Sequence, residues 1–191
     1  MSSKATNGFN HKVFGVTSEG VAVFLRRSLK SLKIDPETQS FTVKITGGPD
    51  GDVAGNMMKI LIRDYGSRAK IVGVADGFGC AEDPEGLCHT ELLRLFEAQL
   101  PINHFDPKQL SARGRVYDTN TEEGSQMRNT MHNRVISDIF VPGGGRPDTI
   151  NSKNYKKFLS ADGKPSSPLI VEGANLFIWQ MRGRSCTMKH E

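Results

Sequence analysis

Cysteine is scarce in this chain: three in 191 residues, an odd and sparse set that gives no disulfide framework. A reducing intracellular compartment is the default for such usage, open here between cytoplasm and mitochondrial matrix. Cys80, Cys88 and His89 lie close in sequence, but no paired C-x-x-C accompanies them, so no metal site is expected. No apolar run approaches the roughly 20 residues of a membrane span. Residues 1–11 are polar and lack the apolar core of a secretory signal. No zinc-finger or RNA-binding aromatic pattern supports a nucleic-acid partner, and the net charge is only +4. The cluster Arg26, Arg27, Lys30 and Lys33 falls opposite an arc of Val21, Phe24, Leu25, Leu29 and Leu32, as on the solvated side of a surface helix.

Glycine is what the chain has in excess. It has 20, of which nine fall between Gly47 and Gly86 and three more form the run 143–145. Clustered glycine marks places where backbone must turn tightly or be approached closely. Around those clusters the pattern alternates strand and helix. Residues 17–34 read as an amphipathic helix with Thr17 or Ser18 as its cap, and residues 41–45 (FTVKI) as a short strand. Residues 53–65 read as a helix stopped by Gly66, and residues 70–75 (KIVGVA) as a buried strand ending at Asp76. A helix over 90–100 follows, then a strand over 135–141, a short helix near 154–159 and a strand over 169–171. Between them, residues 103–133 hold only seven hydrophobics and are expected to be a polar insertion lying over the surface. Alternation of this kind predicts an α/β, Rossmann-like, doubly wound and mainly parallel sheet. Its span is 13–182, with tails at 1–12 and 183–191.

In such sheets ligands bind beyond the carboxyl ends of the strands. The loop GGPDGDVAGN between the first strand and its helix has the parts of a dinucleotide site. Gly51 permits close approach of a pyrophosphate, Ala54 or Gly55 permits tight helix–strand packing, and the helix start after Asp52 offers free amides. Asp76 follows Gly51 by 25 residues, where an acid accepts ribose hydroxyls and disfavours a 2′-phosphate, selecting NAD over NADP. Pro49 stands where a strict G-x-G-x-x-G needs glycine, and Asp50 and Asp52 are awkward beside a pyrophosphate. Glycines that only make tight turns are the competing reading. A P-loop fails at Pro165 and Phe158, an EF-hand fails at Ala54 and Leu61, and no G-x-S-x-G elbow is present.

Six segments carry a resemblance: FGVTSEGV, GGPDGDVAGN, IVGVADGFGCAEDPEGL, RNTMHNR, IFVPGGGRPDTIN and LIVEGANLF. In this order they resemble NAD-specific glutamate dehydrogenases of the large-subunit class, over roughly 11–182. The resemblance implies NAD-linked oxidative deamination of L-glutamate to 2-oxoglutarate and ammonia, and a Rossmann-like coenzyme domain. It implies cofactor roles for Thr17 (nicotinamide side), for Gly48, Gly51, Asp52 and Val53 (pyrophosphate turn) and for Asp76 (ribose acid). Gly143 would line the cofactor cleft and Asn175 would lie beside the nicotinamide ribose. The family's catalytic lysine sits in a glycine-rich stretch of a separate substrate domain, and no such lysine loop occurs here. The chain is therefore expected to be a coenzyme domain, inactive alone, with no catalytic residue of its own. L-Glutamate and 2-oxoglutarate would be met through a substrate domain, and the whole enzyme would be a homo-oligomer without membrane or nucleic-acid partners. Another amino-acid dehydrogenase of the superfamily, or a non-catalytic nucleotide-binding remnant, are the alternatives.

Overall fold

The computed structural model describes residues 11–145, 149–174 and 177–178. Six strands make one sheet: β1 (Phe41–Thr46), β2 (Ala69–Ala75), β3 (Gly79–Glu82), β4 (Arg115–Asp118), β5 (Ile139–Pro142) and β6 (Leu169–Ile170). Their order across the sheet is β4-β3-β2-β1-β5-β6. β1 pairs parallel with β2 on one side and β5 on the other, and β6 continues parallel to β5. β3 is antiparallel to both β2 and β4, so it alone of the six runs against the common direction. The expected mainly parallel α/β sheet is present.

Strand alternation decides which residues face which layer. Phe41, Val43 and Ile45 join Leu25 and Leu29 of α2 (Val16–Ser31), Met57 and Leu61 of α3 (Asp52–Tyr65) and Leu92 and Leu95 of α4 (His89–Ala98) in the main core. Lys44 and its register partner Phe140 belong to the other face. There Phe140 packs with Ile150, Phe158 and Phe177, and α5 (Glu122–Arg134) contributes Met131 to a third cluster with Ala75 and Cys80. Both faces are covered, as a doubly wound sheet requires.

Four expectations need correction. Residues 103–133, expected as a polar insertion over the surface, hold β4 and nearly all of α5, the latter capped by Thr121, whose Oγ1 accepts from the Gly124 amide at 2.9 Å. Among the described residues of α5 only Gly124, Met131 and His132 are buried, so an apolar stripe was never written into its sequence. α2 is not capped by Thr17 or Ser18. The one-turn helix α1 (His11–Phe14) precedes it, and Gly15, left-handed at φ 58°, takes the cap position. Ser18 instead donates from Oγ to the Val53 carbonyl at 2.9 Å, tying α2 to the start of α3. Finally Phe24, assigned to the apolar arc of α2, is 71% exposed, and Ala22 takes its place in the core. The segment expected as strand 135–141 pairs only from Ile139, because Val135 caps the C-terminus of α5.

Candidate functional site

A cavity of about 410 Å³ opens beyond the carboxyl ends of β1, β2 and β5. β1 pairs with β2 on one side and β5 on the other, so the cavity sits where the sheet's winding reverses, the position at which doubly wound sheets take their ligands. Thr46, Gly47, Gly48 and Asp50 come from the end of β1, and Ala75, Asp76, Gly77 and Phe78 from the end of β2. Gly144, Gly145, Thr149 and Phe177 close the β5 side, and α5 lends Arg128, Asn129 and His132.

Small residues set the floor. α3 starts at Asp52, with Gly51, which has no side chain to cap it, in the cap position. Ala54 packs between the two glycine loops: a Cβ on Gly47 would stand 2.6 Å from its methyl, and one on Gly143 3.0 Å from its Cα. Gly55 is wedged between α4 and the loop after β1, where a Cβ would lie 2.1 Å from the Pro49 carbonyl oxygen and 2.9 Å from Phe96 Cδ2. The sequence offered Ala54 or Gly55 for tight packing; each is needed, at a different contact. Gly48 is pressed against the acid, since a Cβ there would meet Asp76 Oδ2 at 2.5 Å.

Asp76 is 8% exposed and heavily engaged. Its Oδ1 accepts from the amides of Phe78 at 2.7 Å and Gly79 at 3.1 Å, and its Oδ2 from the amide of Ile102 at 2.7 Å. Burial raises its pKa against the lowering effect of these three amides, with the charge of Asp50 adding to the rise. A carboxylate has about four acceptor positions, so one is left on Oδ2 for a ligand.

Arg128 is the one cation lining the cavity among the described residues. Its Nε donates to the Asp76 main-chain oxygen and its Nη1 to Asn129 Oδ1 at 2.9 Å. His132 is held neutral: burial first, then the charges of Lys44 and Arg128, push its pKa down to about 4. It stacks on Phe140 at 6.2 Å between centroids and meets Phe177 edge-on at 5.8 Å. Behind this wall lies Lys44, wholly buried, its Nζ donating to the Val135 carbonyl and to Ser166 Oγ, both at 2.7 Å. The rings of Phe158 and Phe140 lie 4.8 and 5.5 Å from the same nitrogen, and burial lowers its pKa to about 7. Thr46 is 7% exposed, and its Oγ1 has no hydrogen-bond partner among the described residues.

Of the residues named from sequence, Gly48 and Asp76 line this cavity. Gly51, Asp52 and Val53 form the helix start beneath it, and Gly143 is the spacer against Ala54. Thr17 is not brought to them: it lines a separate groove of about 530 Å³ between α2 and β6, with Val21, Phe24, Ile170 and Val171. Asn175 lies outside the described residues. Sequence reasoning missed Thr46, Phe78, Arg128 and His132. The RNTMHNR segment pointed to two of them without saying which way the helix would face. Among the described residues no group of three or more His, Cys, Asp or Glu is placed to hold a metal ion, and no helix is long and apolar enough to cross a membrane.

Comparison with known proteins agrees with this geometry. Residues 8–182 match the family model of glutamate/leucine/phenylalanine/valine dehydrogenases. A "Probable NAD-specific glutamate dehydrogenase" of Schizosaccharomyces pombe is 40% identical over 184 residues, covering 91% of this chain and 16% of the relative. The NAD-specific glutamate dehydrogenase of Neurospora crassa is 38% identical, covering 93% and 17%. The chain thus spans about a sixth of the length of these relatives. The crystal structure of Plasmodium falciparum glutamate dehydrogenase superposes with a TM-score of 0.60 at 22% identity, over 89% of this chain and 32% of that one, which is a likeness of fold. With a matching family model over nearly its whole length and relatives of this identity, the chain belongs to the glutamate/leucine/phenylalanine/valine dehydrogenase family.

Proposed function

We propose that this chain is the coenzyme-binding part of an NAD-dependent glutamate dehydrogenase. The observation that carries the reading is the cavity at the switch between β2 and β5, with a helix start that has no side-chain cap below it and the acid Asp76 directly after β2. The residues present suit a dinucleotide. Gly48 and Gly51 form a turn without side chains and Asp52 and Val53 open α3, whose first amides would meet a pyrophosphate that gains from the helix dipole. Asp76 offers its remaining acceptor position to the adenosine ribose, and Gly143 keeps β5 close to α3. Thr17, from the groove between α2 and β6, and Asn175 are assigned to the nicotinamide side. Bound NAD supplies the hydride acceptor for oxidation of L-glutamate to 2-oxoglutarate and ammonia.

The chain's own residues bind and orient the cofactor. Phe140, Phe158 and Phe177, with neutral His132, keep the inner wall dry. No lysine lines the cavity among the described residues, so proton transfer to and from substrate falls to a substrate domain in a homo-oligomeric enzyme. The test is a calorimetric titration of the purified chain with NAD and NADP, alongside an assay of glutamate-dependent NADH formation. NAD binding without turnover is expected. Tighter binding of NADP overturns the role of Asp76, and measurable turnover overturns the division of labour.

A further inference from the structure

Buried polar side-chain atoms in folded proteins are almost always hydrogen-bonded, because an unpaired one keeps its desolvation penalty with nothing in return. Two described side-chain atoms break that rule here, Thr46 Oγ1 and Asn103 Oδ1. Asn103 still donates from Nδ2 to Asp118 at 2.8 Å and does not line the cavity. Thr46 does line it, ends β1, and is paired in register with Pro142 of β5. The backbone around it is nearly bare: Gly47 and Gly48 follow it, and Gly144 and Gly145 face it from the next loop. A Cβ built on Gly145 would lie 3.9 Å from the orphaned oxygen. The orphaned hydroxyl of Thr46 is thus set among glycines on this side of the cleft.

We infer that Thr46 Oγ1 is a contact for the bound dinucleotide, completed only when ligand is present, and that it serves the half of the molecule lying over β5. This rests on the nucleotide reading of the cleft. The assignment to one half follows from position. The acid that would take the adenosine ribose ends β2, on one side of β1, whereas the Thr46 hydroxyl faces the glycines after β5 on the other. A dinucleotide laid across β1 would then bring the sugar–phosphate of its nicotinamide half to Thr46.

The consequence is unusual for a buried polar group, since stability and binding should move in opposite directions. In T46V the shape is retained and the unpaired hydroxyl removed, so the free chain should be as stable as the unaltered one or more so. Binding should weaken by roughly three- to tenfold, the worth of one neutral hydrogen bond. Titration with NAD, ADP-ribose and AMP locates the loss. ADP-ribose retains both phosphates and the second ribose, and AMP only the adenosine half. The expected result is weaker NAD and ADP-ribose binding by T46V, unchanged AMP binding, and near-normal binding of all three by T46S. Equal NAD affinity for T46V and the unaltered chain overturns the inference. So does a loss of stability in T46V, which would reveal a structural hydroxyl, or a parallel loss of AMP binding, which would place the contact in the other half. If the unaltered chain binds none of the three, the nucleotide reading itself fails and the inference with it.

Discussion

The carboxylate of Asp76 accepts a hydrogen bond from the backbone amide of Ile102, 26 residues further along the chain. With the amides of Phe78 and Gly79 on its other oxygen, it joins the end of β2, the reversal into β3 and the segment after α4. An acid read from sequence as a cofactor ligand is thus also a fastening of the sheet's antiparallel side.

Asp76→Asn tests that fastening. Asparagine reproduces one acceptor oxygen, but its amide group then confronts the Ile102 N–H with another donor. An unsatisfied buried amide costs about 1–3 kcal/mol. Urea unfolding should show a lower midpoint with unchanged slope; an unaltered midpoint would mean that the Ile102 contact contributes nothing.

Gly55→Ala tests the closeness of α3 to the glycine loop. The added methyl would lie 2.1 Å from the Pro49 carbonyl oxygen and 2.9 Å from Phe96 Cδ2. The ring can shift, the backbone carbonyl cannot without moving the loop. A loss of about 1–3 kcal/mol is expected, as for overpacked cores, seen as a lower thermal midpoint. Wild-type stability in this variant would contradict the described contact.

Lys44 and His132 give the stability a pH profile. Lys44 has its pKa lowered by burial to about 7, against an ordinary value of 10.5. Between those values the unfolded chain holds a proton that the folded chain has released, so stability rises as pH goes up from about 7. His132, lowered to about 4 from 6.5, acts in the same sense at acid pH: stability falls as pH drops from 6.5 towards 4. Denaturant midpoints across pH 4 to 10 should slope upward in both windows. Lys44→Met should flatten the upper one and, by removing a charge that depresses His132, make the lower one shallower; an identical upper slope in that variant would refute the assignment.

The elements that build the cleft floor were legible because burial wrote them into the sequence. β1, α3 and β2 carry apolar residues at the period of their own geometry, bounded by glycine loops. β4 and α5 were not, because β4 is an edge strand with partly exposed side chains and α5 packs through a glycine, a methionine and a histidine. Sequence spacing found the acid at the end of β2 but not its three amide partners, one of which is distant in the chain. The unpaired hydroxyl of Thr46 has no signature in sequence at all, since being unpaired is a property of surroundings.

The burial of Lys44 also makes this amine a chemical clock for the sheet. An amine-acylating reagent cannot reach a nitrogen enclosed by Phe140, Phe158, Val135 and Ser166 while β1, α5 and the Ser166 segment stay together. Its labelling rate therefore counts the openings of the second core face at this one position, and any ligand that binds the folded cleft will slow it.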